Sequence, residues 1–372
     1  MTKKDELTKE EQNKIIKEIC ENNKLEFIKH LGRGSYGVVI KAMKKNNPNE
    51  VYAIKIIFLK NLTPGENYEE YMEFRGQNIV KILSKKTDID KSYYYYIMEC
   101  SELGSLSSLK TDLINLENSR ISKESFLEKV GNNLLRFFAK QIIIGIKTFY
   151  EGNLVHFDIK PNNILIFQGM QMKLIDFSFL MPIKKEQDLI RGGTVGYVTP
   201  EYYLGNKLDK SILNKQDYFA IGAVLYYLKY GEKMLNYEEE RSENLINRGY
   251  INSAMVVNLI SIAINKIKSK KFQDKSLTDF LISLIQYKPE DRPEFEKIYR
   301  NKWLNKNSEE IKKINDIYSS DEGNMVFELQ KSDFLIEHKK YFDIDNKDDI
   351  NKYKIVKKGK FKFLKKKLKI NS

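Results

Sequence analysis

The run His156-Phe-Asp158-Ile-Lys160-Pro-Asn-Asn163-Ile-Leu165 sets out a carboxylate, an ammonium two residues later and an amide five residues later. A turn gathering those three groups holds a base, a clamp for phosphate charge and a ligand for a hard cation. Lys173-Leu-Ile-Asp176-Phe177-Ser178 then places a second carboxylate after an apolar stretch, an oxygen donor of the kind magnesium takes. Far upstream lies Gly32-Arg-Gly34-Ser-Tyr-Gly37-Val-Val39. A dinucleotide-binding fold would start a helix after such glycines. Here the β-branched Val38 and Val39 follow, so the glycines belong to a hairpin whose backbone N–H groups can close over phosphates. The absence of GxxxxGK[ST] excludes a P-loop. Val51-Tyr-Ala53-Ile-Lys55 embeds a lysine in an apolar strand, where burial is costly without an anion beside it.

The elements that must position these groups follow from periodicity. Thr8 with Glu11 three residues later reads as a capping box opening a short helix around Ile15, Ile16 and Ile19. Phe27–Leu31, Val38–Ala42 and Val51–Phe58 read as strands, with Asn46-Asn47-Pro48-Asn49 as turn chemistry before the last. A helical segment, Glu66–Arg75, precedes two more strand-like runs, Asn78–Leu83 and Tyr93–Cys100. After Gly104 helical periods dominate, over Phe126–Glu151, Asp217–Leu228, Ser253–Lys268 and Thr278–Gln286. A small β-rich part followed by a larger helical part predicts two lobes with a cleft between them.

Composition narrows the class. The 372 residues are 41% hydrophobic and 31% charged, as in a globular protein. With only Cys20 and Cys100, a disulfide framework and a Cys-rich zinc site are excluded. The longest apolar run, Phe219 to Leu228, falls short of a bilayer span, and the N-terminal sequence lacks the apolar core of a signal peptide. The expectation is a soluble intracellular protein, cytoplasmic or nuclear. The net charge is +13, but residues 351–372 hold ten lysines and no acidic residue, leaving +3 on the other 350 residues. The basic character thus belongs to a tail that interleaves Lys with Ile, Val, Phe and Leu. Such a segment suits anionic lipid, nucleic acid or an acidic protein surface, or is simply solvated.

From Phe27 to Leu304 the chain resembles the eukaryotic protein kinases of the serine/threonine type. The resemblance continues through Gly193-Thr194-Val-Gly-Tyr-Val-Thr199-Pro200-Glu201, Asp217-Tyr-Phe-Ala-Ile-Gly222 and Pro289-Glu-Asp-Arg292-Pro293. It implies an α+β bilobal fold at 25–304, with a β-rich N-lobe at 25–100, a helical C-lobe at 101–304 and an ATP cleft between them. Residues 1–24 would be a charged helical extension and 305–372 a C-terminal one.

The resemblance also implies roles. Leu31, Gly32, Gly34 and Gly37 would lie over ATP, and Lys55 would hold its α- and β-phosphates. Lys55 would pair with a helix Glu, taken as Glu70 with Glu66 and Glu69 as alternatives. Val39, Ala53 and Leu165 would sandwich the base, Met98 would stand as gatekeeper, and Glu99 to Ser101 would offer backbone groups to adenine. Asp158 would be the catalytic base, Lys160 would stabilise the transferring phosphoryl group, and Asn163 and Asp176 would bind Mg²⁺. Lys160 with Thr194 marks the serine/threonine branch. Glu201 and Arg292 would form a buried structural ion pair, and Asp217 would brace the catalytic loop.

The chain departs from the family pattern in places. Phe157 stands where many kinases carry the Arg that receives an activation-segment phosphate. No Ser, Thr or Tyr lies between Ser178 and Thr194. Activity is therefore expected not to depend on phosphorylation within 179–193. Ser178 replaces a glycine, which restricts backbone freedom after the metal ligand. The competing readings are an ATP-binding pseudokinase scaffold, which would have lost Lys55, Asp158, Asn163 or Asp176, and a kinase fold acting on lipid or a small molecule.

Overall fold

Val38, Ile40 and Ala42 on one strand and Ile54, Ile56 and Phe58 on the next recur at period two, so their side chains leave the same face of a sheet and are buried there. The computed structural model describes residues 7–34, 37–59, 76–88, 93–101, 103–108, 132–167, 171–183, 193–204, 211–235, 253–269 and 274–305. Glu66, Glu69 and Glu70, the helix expected at 66–75, the segment 184–192 and the basic tail at 351–372 lie outside the described residues. The chain divides into two units, 1–101 and 102–372.

The first unit is a five-stranded antiparallel sheet in the order β1-β2-β3-β5-β4. Its strands are β1 (Leu25–Gly34), β2 (Gly37–Lys44), β3 (Asn47–Phe58), β4 (Ile82–Asp88) and β5 (Tyr93–Glu99). Helix α1 (Lys9–Asn22) opens on the capping box expected from sequence. The Thr8 hydroxyl accepts the Glu11 N–H at 3.2 Å, and the Glu11 carboxylate accepts the Thr8 N–H at 2.7 Å. This helix shares the sheet's core, since Ile16, Ile19 and Cys20 pack with the β2 and β3 residues above and with Tyr93, Tyr95 and Ile97. Burying each of the two isoleucines is worth about 2 kcal/mol.

One strand forms later than its sequence suggested. Ile79 and Val80 are buried, but a turn closed by the Ile79 N–H on the Gly76 carbonyl leads into a single bridge at Ile79, and the continuous strand β4 begins at Ile82 rather than Asn78. Apolar content there marked burial and one bridge rather than a continuous strand.

The second unit is mainly helical. Its long elements are α2 (Asn132–Glu151), α3 (Pro200–Leu204), α4 (Lys215–Tyr230), α5 (Ser253–Lys268) and α6 (Lys275–Leu284). Short strands β6 (Leu154–Val155), β7 (Ile164–Phe167), β8 (Gln171–Leu174) and β9 (Met181–Pro182) pair as β6–β9 and β7–β8. Helix α4 is buried on all sides, which is why its sequence reads as apolar almost throughout. At Gly222 a Cβ would stand 2.6 Å from Ile285, so glycine lets α4 and the end of α6 approach closely. Asp274 caps α6 by accepting the Ser276 N–H at 2.9 Å, which starts this helix three residues before the expected Thr278.

Candidate active site

The second unit folds the chemically dense run of residues 156–165 into a tight turn. Pro161–Asn163 form one turn of 3₁₀ helix, closed by the Asn163 N–H on the Lys160 carbonyl at 2.9 Å. That turn brings the Asn163 amide back onto Asp158, donating to its backbone carbonyl at 2.9 Å and its carboxylate at 2.7 Å. The Lys160 ammonium lies 2.7 Å from the same carboxylate and donates to the Thr194 hydroxyl at 2.6 Å. Thr194 in turn donates its hydroxyl proton to Asp158 at 2.7 Å. Asp158, only 3% exposed, is thus held by an ammonium, an amide and an alcohol.

The loop is braced from behind. Asp217, in the first turn of α4, accepts the His156 N–H at 2.8 Å and the Phe157 N–H at 2.9 Å. Burial pushes the Asp217 carboxyl up to about 7, against the pull of those two N–H groups. His156 is fully buried and its pKa is lowered, chiefly by that burial, so it is a neutral imidazole. It accepts the Asp158 N–H through Nδ1 at 3.3 Å, which leaves Nε2 to donate to the Ile175 carbonyl at 3.1 Å. The His156 ring also stacks edge-on with Phe149 and Phe177, centroids 5.5 and 6.0 Å away. These contacts tie the turn at 156–165 to the segment carrying Asp176.

Asp176 itself takes a left-handed conformation, φ 65°, which a short polar residue tolerates better than most. Ser178 donates its hydroxyl to the Asp176 carboxylate. The sequence suggested that the missing glycine would restrict the chain at 178. The left-handed turn falls instead on Asp176, and Ser178 sits in the 3₁₀ turn Phe177–Phe179. The Ile175 N–H donates to the Asn163 carbonyl at 3.0 Å and so sets Asp176 beside Asn163. The Asn163 amide nitrogen is committed to Asp158, which leaves its side-chain carbonyl for a cation. Those two hard oxygens suit magnesium, which keeps its remaining positions for water and phosphate.

Phe157 is packed rather than exposed. With Val155 and Leu213 it forms an apolar cluster closed by Phe179, Met181, Ile183 and Ile212. The β6–β9 pairing and the Ile183 N–H on the Asn153 carbonyl at 2.8 Å hold the same segment from the backbone.

In the first unit, sheet register brings further residues to one face. Val39 is opposite Lys55, and Ala53 is opposite Met98, so all four lie on the face away from α1. Gly32 is opposite Val39, and neither Gly32 nor Gly34 has a heavy atom within 4 Å of where a Cβ would stand, so the hairpin backbone is open to a ligand. At Gly37 a Cβ would collide with the Ile56 carbonyl. Leu31 is 45% exposed on the edge strand. The Glu99 N–H is committed to the Lys81 carbonyl at 3.1 Å, and the Ser101 carbonyl accepts the Cys100 thiol at 3.7 Å.

A protein kinase domain model matches residues 25–304. The chain belongs to the protein kinase family. Among relatives, it is 28% identical to "Serine/threonine-protein kinase atg1" of Dictyostelium discoideum over 75% of this chain and 39% of that protein. It is 25% identical to "Serine/threonine-protein kinase ULK3" of Homo sapiens over 74% of this chain and 53% of that protein. It is 30% identical to "Calcium-dependent protein kinase 4" of Plasmodium falciparum over 56% of this chain and 38% of that protein. The chain spans between about a third and two fifths of the length of the curated relatives it matches first. Among the described residues no helix is long and apolar enough to cross a membrane.

Within this kinase domain, Asp158, Lys160, Asn163 and Thr194 converge through direct contacts, and the Ile175–Asn163 backbone bond brings Asp176 alongside. Leu165 lies on β7, paired with Lys173 and bridged to Ser105. Glu201 and Arg292 form a buried ion pair at 2.9 Å, as the resemblance implied. The sequence reading missed the Phe157 cluster. Its signal was the alternation Phe179, Met181, Ile183, a period of two with every odd residue apolar.

Proposed function

We propose that this chain is a serine/threonine protein kinase that moves the γ-phosphoryl group of Mg-ATP onto Ser and Thr hydroxyls of protein substrates. The observation carrying this reading is the Thr194 hydroxyl donating to Asp158 at 2.7 Å. The carboxylate already receives an aliphatic O–H, the interaction a substrate hydroxyl needs when it gives up its proton. The names of the relatives, serine/threonine-protein kinases, support the same assignment.

Asp158 orients the acceptor hydroxyl and takes its proton. Lys160, beside it, places positive charge where negative charge develops on the transferring group. Asn163 and Asp176 hold Mg²⁺, which when bound neutralises phosphate oxygens. Lys55 holds the α- and β-phosphates, and Gly32, Gly34 and Gly37 present backbone N–H groups to them. Val39, Ala53, Leu165 and Leu31 contact the base beside Met98, with backbone groups of Glu99 to Ser101 on its edge. Little covalent work falls to such a protein, so positioning and preorganised charge supply most of the rate. The Lys160–Thr194 contact supports the serine/threonine branch.

Activity independent of phosphorylation within 179–193 is supported by the cluster around Phe157. Apolar packing holds the segment after Asp176 without a phosphate–Arg pair. A place inside the cell, cytoplasm or nucleus, fits a chain whose two cysteines are not joined in a disulfide and whose reaction draws on ATP.

Incubation with γ-labelled ATP, Mg²⁺ and a generic acceptor protein, followed by phosphoamino-acid analysis, tests the proposal. Label in Ser and Thr is expected. Label in Tyr or lipid, or ATP binding without transfer, contradicts it.

A further inference from the structure

A side-chain hydrogen bond joins helix α1 to the glycine hairpin. Arg33 Nη2 donates to Gln12 Oε1 at 2.8 Å. Gln12 is 9% exposed, and its amide nitrogen is spent on the Leu7 carbonyl at 2.8 Å, so its oxygen is the atom presented to Arg33. Arg33 points this way because it is opposite Val38, whose side chain lies in the core that α1 shares. Gly32, next to it, is opposite Val39 on the other face.

Gly32 and Gly34 carry no side chain, and the space where a Cβ would stand is open at both. Neither glycine therefore contributes a packed side chain to this end of the hairpin. Arg33 lies between them and supplies a tether that is charge-assisted at the donor. The helix at the other end cannot drift, because Ile16, Ile19 and Cys20 are locked in the sheet core.

We propose that α1 anchors the glycine-rich hairpin from behind, with Gln12 and Arg33 as positioning residues for the nucleotide phosphates. The inference rests on the reading that this hairpin covers ATP. It makes the helix preceding residue 25 a working part of the nucleotide-binding unit. Releasing the tether lets the hairpin N–H groups move away from the phosphates, which weakens ground-state binding more than it slows the chemical step.

The test is steady-state kinetics in the full chain for Gln12→Ala, Arg33→Ala, the double variant and Arg33→Lys, beside Gly34→Asp. KM for Mg-ATP is expected to rise about three- to tenfold in each alanine variant, with kcat changing less. The double variant is expected to be no worse than the worse single, because both remove one interaction. Arg33→Lys keeps a donor and is expected to recover most of the affinity. Unchanged KM in both alanine variants, or fully additive effects, overturns the anchor. Arg33 is exposed, so its variants leave the core intact and decide the matter even if Gln12→Ala lowers stability. Gly34→Asp puts a carboxylate on the hairpin. If it leaves KM for ATP untouched, the hairpin is not the nucleotide site; if it raises KM while the Arg33 variants do not, only the anchor fails.

Discussion

The Lys160 ammonium sits 2.7 Å from the Asp158 carboxylate, in a turn where Asp158 is almost wholly buried. The pair is set by a single turn of 3₁₀ helix and shares the Thr194 hydroxyl as a third member. Lys160→Met removes the cation that the proposed mechanism sets against the developing phosphoryl charge and leaves Asp158 with its amide and alcohol partners. We expect kcat to fall on the order of a hundredfold or more, with KM for ATP within a few-fold. Initial-rate kinetics check this, and a kcat within a factor of three would remove Lys160 from the mechanism.

Asp217 makes stability depend on pH with a definite sign. Its carboxyl is raised from an ordinary value of 3.8 to about 7 by burial, so the folded protein holds a proton that the unfolded chain gives up. That contribution is complete below pH 4 and is lost as pH rises toward 7. Relative to Asp217→Asn, which does not titrate, wild-type stability should decline between pH 5 and 7 and run parallel above pH 8. Denaturant unfolding of both proteins across that range measures it. Parallel curves throughout would mean that Asp217 stays ionised when folded.

Phe157 packs against Phe179, Met181, Ile183 and Leu213, and in the proposed function this packing takes the place of electrostatic attachment of the segment after Asp176. Phe157→Ala should cost about 3 kcal/mol of stability and lower transfer activity, while Phe157→Leu retains most of both. Phosphatase treatment of the wild-type chain should leave transfer unchanged. Activity lost to phosphatase, with a phosphosite mapped inside 179–193, would contradict this account of the segment.

Arg292 is fully buried and makes donor bonds to the carbonyls of Gln286 (2.9 Å), Tyr287 (3.0 Å) and Lys215 (3.3 Å) besides its ion pair with Glu201. Breaking one side of such a pair strands the other charge. Glu201→Gln should therefore destabilise the protein by about 3 kcal/mol, with little effect on KM for ATP in the protein that remains folded. Thermal or denaturant unfolding beside kinetics separates the two effects, and an unchanged midpoint would refute the structural role.

The parts legible in the sequence were those whose geometry is local. Asp158, Lys160 and Asn163 fall within one turn, so their spacing already implied their convergence, and Thr8 with Glu11 reported a helix start by the same logic. The alternation along β2 and β3 fixed which residues share a face with Lys55. The rest depends on contacts between distant segments. Gln12 and Arg33 are 21 residues apart and meet only because α1 docks on the sheet. Phe157 read as a lost arginine because its partners come from 179–183 and 212–213. Ile79 and Val80 misled for a different reason, since a buried connection with one bridge and a continuous strand demand the same apolar residues.

The central claim is phosphoryl transfer with Asp158 as the base. The most direct measurement is transfer of labelled γ-phosphate to a protein acceptor by the wild-type chain and by Asp158→Asn, with Mg-ATP binding measured on both. The account predicts that transfer to Ser and Thr falls by at least about a hundredfold in the variant while nucleotide binding persists. Equal transfer by both proteins, or binding without transfer by the wild type, would contradict it.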